Sequence, residues 1–201
     1  MSIEPALDST QRARQILLLA AEQFAEKGAK ATTMRQIAAA AGMKAGSIYH
    51  HFASKDEMLV AILGDYLDDL NRSYRKEFEA GHGSEELIRV LIVTSLRASS
   101  RHPHAAEIYQ AEQHYLRQES ETFGAILVAG RESQAVWTEA LQLGYKDGTF
   151  RKDVPVETFH RLLRDALWLS VRWYQPSDEY PLDGFANDIA SVFLDGFLAR
   201  S

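Results

Sequence analysis

The sequence predicts an all-α protein, with a small N-terminal helical module followed by a larger helical body. Three observations carry this reading. Apolar residues recur at three- and four-residue spacing through most of the chain, and no run keeps the two-residue alternation of a strand. Thr, Ser, Gly and Pro fall at the ends of these runs, where helices start and stop. Cysteine is absent, which removes disulfide frameworks, thiolate metal sites and cysteine nucleophiles.

The elements follow in order. From Thr10, residues Ile16, Leu17, Ala20, Ala21, Phe24 and Ala25 share one helical face, and Gly28 closes that helix. Thr32 or Thr33 caps a second helix through Ala40, ended by Gly42. A third, very short helix is expected over residues 44–49. Ser54 caps a fourth, with Asp56 and Glu57 where the helix dipole favours anions. That helix runs to about Ala80, roughly 39 Å at 1.5 Å per residue. After the break GHGS, helices are expected over 84–100, 104–118 and 121–143. GYKDGTF is a turn; Pro155 suits the first turn of the next helix, which the stretch before Pro176 ends. A last helix over 183–198 lines up Phe185, Ile189, Val192, Phe193, Gly196 and Phe197.

The chain is 46% hydrophobic and 25% charged, enough to bury a sizeable core. Its start, MSIEPALDSTQRARQ, lacks the charged head and apolar run of a signal peptide, and no apolar stretch approaches the ~20 residues that span a bilayer. A cytoplasmic location is therefore expected. The net charge of -6 speaks at first against nucleic acid. Its distribution reverses that. Residues 1–60 hold seven Lys/Arg against six Asp/Glu, and 61–201 hold fifteen against twenty-two. Within 27–55, Lys27, Lys30, Arg35, Lys44 and Lys55 stand without a single acid, a local electropositive window.

Two short helices around a glycine, TTMRQIAAAAG then MKAGSIYHHF, fit a helix-turn-helix. A recognition helix entering a major groove about 12 Å wide needs a small or polar leading edge. Ala45, Gly46 and Ser47 allow close backbone approach, while Lys44 and Tyr49 reach outward. Ile37, Ala38 and Ala41 face Ile48 and Phe52 as a small core. Lys55, beside a helix start, suits a phosphate.

Residues 10–59 resemble the N-terminal domain of TetR-family transcriptional regulators, with the threonine pair, IAAAAG, GSIYHHF and SKDEML in order and without gaps. The resemblance implies that Arg35 and Lys44, Ala45, Gly46 and Ser47 face bases, and that Thr33, Tyr49, His50 and Lys55 hold phosphates. His51 and Phe52 are then mainly structural. With so few cations one copy binds weakly, so a two-fold homodimer on a palindromic double-stranded operator is expected. The expected division is residues 1–55 as DNA-binding domain and 56–201 as effector-binding and dimerisation domain.

In the body, Phe159, Leu162, Leu163, Ala166, Leu167 and Ser170 form one stripe, and the last helix another. Paired with a second subunit they would make a four-helix bundle, as TetR-family proteins generally do. Off that stripe, Arg161, Arg164, Trp168 and Arg172 lie close together in helical projection. They fit a bound anion with a flat apolar body, or else a solvated face with an Asp165–Arg161 pair and an Arg164–Trp168 stack. The runs RLLRDALWLSVRWYQP, IYQAEQHY and DGTFRKD resemble a TetR subgroup, the actinobacterial repressors of cholesterol-ring degradation that respond to a steroid-derived coenzyme A thioester. That resemblance implies effector contacts at Arg164 and Trp168. After Pro176 the chain reads SDEYPLD where the subgroup tends to have glycines, so a regulator answering another acyl-CoA or an unrelated hydrophobic effector is the alternative. Arg172, Tyr109, Tyr115 and Trp137 complete the candidate ligand set. No catalytic residue, metal or cofactor is expected. His102, His104 and His114 with Glu107 and Glu112 lack a compelling ligand spacing. A metal-dependent helical-bundle enzyme and a constitutive architectural DNA-binding protein remain the other classes.

Overall fold

The computed structural model describes residues 9–170 and 173–196, and among these it has nine α-helices, one 3-10 turn and no strand. Helix α1 (Ser9–Lys27) buries Ile16, Ala20, Ala21 and Phe24. Gly28 then takes φ +83, a conformation that costs a residue with Cβ, and its N–H closes on the Phe24 carbonyl at 2.9 Å. Helix α2 (Met34–Ala40) starts at a capping box: the Thr33 hydroxyl accepts the Gln36 N–H, and the Gln36 side chain accepts the Thr33 N–H at 2.8 Å. Arg12 of α1 donates to the Ala41 carbonyl at 2.7 Å, holding the end of α2 against α1.

The helix expected over 44–49 is a correction. The chain forms a 3-10 turn, Ser47–His50, with Lys44, Ala45 and Gly46 ahead of it outside any helix. Gly46 offers no side chain to cap the start, and Ser, Ile and Tyr are weak helix formers, so a single tight turn pinned by fully buried Ile48 suffices. Ile37, Ala38, Ala41, Ile48 and Phe52 are all buried together with Met58 and Leu59.

Helix α3 (Lys55–Glu79) begins at the Ser54 cap, whose hydroxyl accepts the Glu57 N–H at 3.1 Å, and runs out of the module into the body. There it packs on α4 (Ser84–Arg101) and most extensively on α7 (Ser120–Asp147). Buried Asn71 of α3 donates to the Ala129 carbonyl of α7 at 2.9 Å, so the helix pair has a polar tie within its apolar seam.

The single helix expected over 104–118 is two: α5 (Ala105–Ala111) and α6 (Gln113–Gln118), broken at Glu112. The Glu112 carboxylate accepts the Ala29 N–H at 2.7 Å, a tertiary bond that no local spacing announces. Helix α8 (Val156–Ser170) packs on α4, α5 and α7; α9 (Leu182–Leu194) packs on α4. Phe197, placed on the last stripe from sequence, lies outside the described residues. No helix among the described residues is long and apolar enough to cross a membrane.

Candidate functional site

Two surfaces concentrate the sequence-predicted residues. The first is the edge formed by α2 and the 3-10 turn. Arg35, Lys44, Ala45, Gly46, Tyr49 and His50 are exposed there and Ser47 is half-buried, while Ile48 and Phe52 anchor the turn from below. Arg35 and Lys44 make no hydrogen bond to another described residue, so their charge is uncommitted within the chain. Thr33 is exposed at the α2 start, with its side chain engaged in the capping box.

Lys55 is engaged within the chain. Its ammonium donates to the carbonyls of Ala29, Lys30 (3.2 Å) and Thr32 (3.1 Å). An ammonium has three hydrogens, and all are spent on the loop after α1. In the chain without DNA, Lys55 therefore ties that loop to the start of α3.

The second feature is a cavity of about 350 Å³ enclosed by α3, α4, α5, α6, α7 and α8. Of the candidate ligand set, Trp168, Arg164, Tyr109 and Trp137 line it. The Arg164 guanidinium sits 4.9 Å above the Trp168 ring and bonds the neighbouring Asp165 carboxylate at 3.0 Å. Tyr109 meets the same indole edge-on at 6.0 Å between centroids. The Asp165–Arg161 pair read from helical spacing is replaced by this Arg164–Asp165 contact. Arg161 is exposed and outside the lining, and Arg172 lies outside the described residues.

Tyr115 lies apart from this set. It does not line the cavity; its hydroxyl donates to Asp56 of α3 at 2.8 Å. Burial, and then the Asp56 carboxylate, push that phenol up to about 12. Sequence reasoning missed Gln110, Gln113, Arg117 and His160, which line the cavity from α5, α6 and α8. Arg117 and Gln113 lie on one face of α6 four residues apart and are bonded at 2.9 Å, a periodicity signal that was available. Among the described residues no group of three or more His, Asp or Glu is placed to hold a metal ion; His102 pairs with Asp69 at 3.0 Å instead.

The two surfaces are joined. The α1–α2 loop sits on α5–α6 through Ala29 to Glu112, through Lys30 to Gln118 at 3.3 Å, and through the Lys30 ammonium 5.3 Å above the Tyr115 ring. A helix-turn-helix edge coupled to a hollow helical body defines a ligand-accommodating DNA-binding regulator. Residues 16–62 match the family described as bacterial regulatory proteins, tetR family, and residues 81–197 match the tetracyclin repressor-like C-terminal domain. The chain is 40% identical over 199 residues to the HTH-type transcriptional repressor KstR2 of Rhodococcus jostii, covering 98% of this chain and 97% of that protein. It is 36% identical over 185 residues to KstR2 of Mycobacterium tuberculosis, covering 92% of each. The solved structure of the ketosteroid transcriptional regulator KstR2 of Mycobacterium tuberculosis superposes with TM-score 0.86 at 33% identity, over 99% of this chain and all of that one. The chain belongs to the tetR family of bacterial regulatory proteins.

Proposed function

We propose that the chain is a homodimeric, cytoplasmic repressor that binds a palindromic operator and releases it on taking up an acyl-CoA or steroid-derived CoA thioester. Residues 1–55 serve as the reader and 56–201 as sensor and dimerisation domain. The observation that carries this reading is the two-sided α5–α6 segment. Tyr109, Gln110, Gln113 and Arg117 face the cavity, while Glu112 and Gln118 bond the reader's α1–α2 loop and the Tyr115 ring lies under its Lys30 ammonium. A ligand that favours a different α5–α6 position therefore shifts the reader's population toward a geometry that no longer matches two half-sites.

Arg35, Lys44, Ala45, Gly46 and Ser47 read bases in this scheme, and Thr33, Tyr49 and His50 contact phosphates. Arg164, with Arg117 opposite, meets the anionic or carbonyl oxygens of the effector, and Trp168, Tyr109 and Trp137 contact its apolar body. The names of the relatives, a repressor and a ketosteroid regulator, support the steroid-related member of this effector class. Leu162, Leu169 and Val192 are 59%, 48% and 75% exposed on α8 and α9, an apolar surface suited to a second copy.

Thermal-shift measurement against acyl-CoA thioesters, steroid-derived ones included, followed by fluorescence anisotropy on labelled DNA, tests the proposal. We expect a stabilising thioester that releases an inverted-repeat duplex held at least about 10³-fold more tightly than random DNA at fixed salt. A monomer in solution, or equal affinity for both duplexes, overturns it.

The clasp makes a separate prediction. The double substitution Glu112→Ala and Tyr115→Phe should leave each ligand bound when offered alone. The factor by which effector weakens operator binding should collapse toward one, from the roughly 5–150-fold typical of such coupling. Paired titrations with and without effector read this directly; an unchanged factor would place the transmission elsewhere.

A further inference from the structure

Tyr109 of α5 has room at the cavity wall because its neighbour on α7 lacks a side chain. Its ring is 8% exposed, lines the cavity and meets the Trp168 indole edge-on. The hydroxyl end lies against Gly130, which lines the same cavity. A Cβ at position 130 would overlap the Tyr109 hydroxyl oxygen and stand 2.9 Å from ring Cζ. Glycine is a weak helix former, and close approach is what it offers inside α7. The phenol is parked there with no room to spare.

When that place is filled, α5 is the side that yields. Helix α7 is pinned to α3 on both sides of Gly130: the Asn71 amide donates to the Ala129 carbonyl at 2.9 Å, and the Ser133 hydroxyl donates to the Asn71 amide oxygen. Helix α5 has only 7 residues. It starts after His104 at φ +68, a conformation unfavourable to a residue with Cβ, and ends at the Glu112 break. One turn beyond Tyr109, the Glu112 carboxylate accepts the Ala29 N–H of the reader. The Gln113 side chain donates to the Tyr109 carbonyl at 3.0 Å and so carries α6 with α5. A displacement of Tyr109 therefore reaches the α1–α2 loop within one helical turn.

Resting on the reading of this cavity as the effector site and of the helix-turn-helix as the operator reader, we propose that Tyr109 is a lever parked on Gly130, a positioning residue through which cavity occupancy moves the reader. A flat apolar body that stacks on Trp168 competes with the Tyr109 ring for the indole. Gly130 leaves that ring no space to retreat into, so α5 moves and takes Glu112 with it. A ligand too small to crowd Tyr109 binds without releasing DNA.

A methyl at position 130 fills the parking place without any ligand, so the probes are Gly130→Ala, Tyr109→Leu and the double variant of the full chain. Operator affinity is read by anisotropy on the inverted-repeat duplex that the wild-type protein selects from random DNA. Amide exchange at Ala29 is read by NMR in the DNA-free protein, with buried α3 amides as the folding control. Gly130→Ala should bind the duplex at least about fivefold more weakly. Its Ala29 amide should exchange at least about tenfold faster while the α3 amides hold. With the ring shortened the penalty should vanish, so the double variant should match Tyr109→Leu within about twofold. Wild-type affinity or wild-type exchange in Gly130→Ala overturns the lever. So does a penalty that persists in the double variant, whether through misfolding or otherwise. If the wild-type chain selects no inverted repeat, the operator reading falls, and the Ala29 exchange comparison still decides the lever.

Discussion

Arg164→Glu should abolish induction while leaving the operator complex intact. The guanidinium is half-buried at the cavity wall, stacked over Trp168 and paired with Asp165. Reversal removes the cation–π contact, sets two carboxylates side by side in sequence, and presents a negative charge to an anionic effector. Loss of one charge-assisted contact costs about 1.5–3 kcal/mol, and repulsion adds to it. Effector affinity should therefore fall by at least about 100-fold. Operator affinity without effector should stay within about twofold, because α8 packs on α4, α5 and α7, away from the reading edge. Anisotropy with labelled operator, titrated with the thioester found in the thermal-shift screen, decides it; induction at wild-type effector concentration would refute the assignment of Arg164. Lys at this position keeps the charge but not the planar fork, so Arg164→Lys should fall between the two.

Gly144→Ala should be strongly destabilising. Phe150 folds back onto the end of α7, its N–H donating to the Gly144 carbonyl at 2.9 Å and its ring packed where a side chain at 144 would stand. A Cβ there would lie 2.9 Å from the ring Cγ and nearer still to Cδ2 and Cε2. Phe150 is 1% exposed, so the ring has nowhere to go without moving the core. Overpacking of this kind costs about 3 kcal/mol, or a Tm lower by roughly 6–12 °C at this chain length. Phe150→Ala alone should cost about 3–5 kcal/mol through its cavity. With the ring gone, the clash is gone. The double variant should then be no worse than Phe150→Ala, and calorimetry that found the two losses additive would refute the mechanism.

These two expectations differ in how much of their basis can be read in the sequence. Arg164 and Trp168 stand four apart on an amphipathic helix, so their stacking follows from helical geometry alone. The clash at Gly144 needs Phe150 to fold back six residues later, which a turn composition suggests but does not place. The reading edge was legible for a similar reason: caps, glycines and a local run of cations are adjacent in sequence. The intrachain contacts of Lys55 and Tyr115 were not legible because their partners are 23 to 59 residues away. A side chain's chemistry says what it can bond, not which of several distant oxygens will be nearest. His160 went unnoticed because a single histidine on an apolar face carries no spacing signal. Only the fold brings its ring onto Trp137 at the cavity wall.

By itself, then, the order of residues determined the helices, their caps, the charged reading edge and the regulator family, because each depends on spacings within a few turns of one helix or on a contiguous motif. Tertiary structure alone decided that the recognition element is a 3-10 turn, that α5 and α6 part at Glu112, and which side chains line the cavity. Those outcomes turn on which distant backbone and side-chain groups satisfy one another once the core has closed, a competition that local periodicity does not encode.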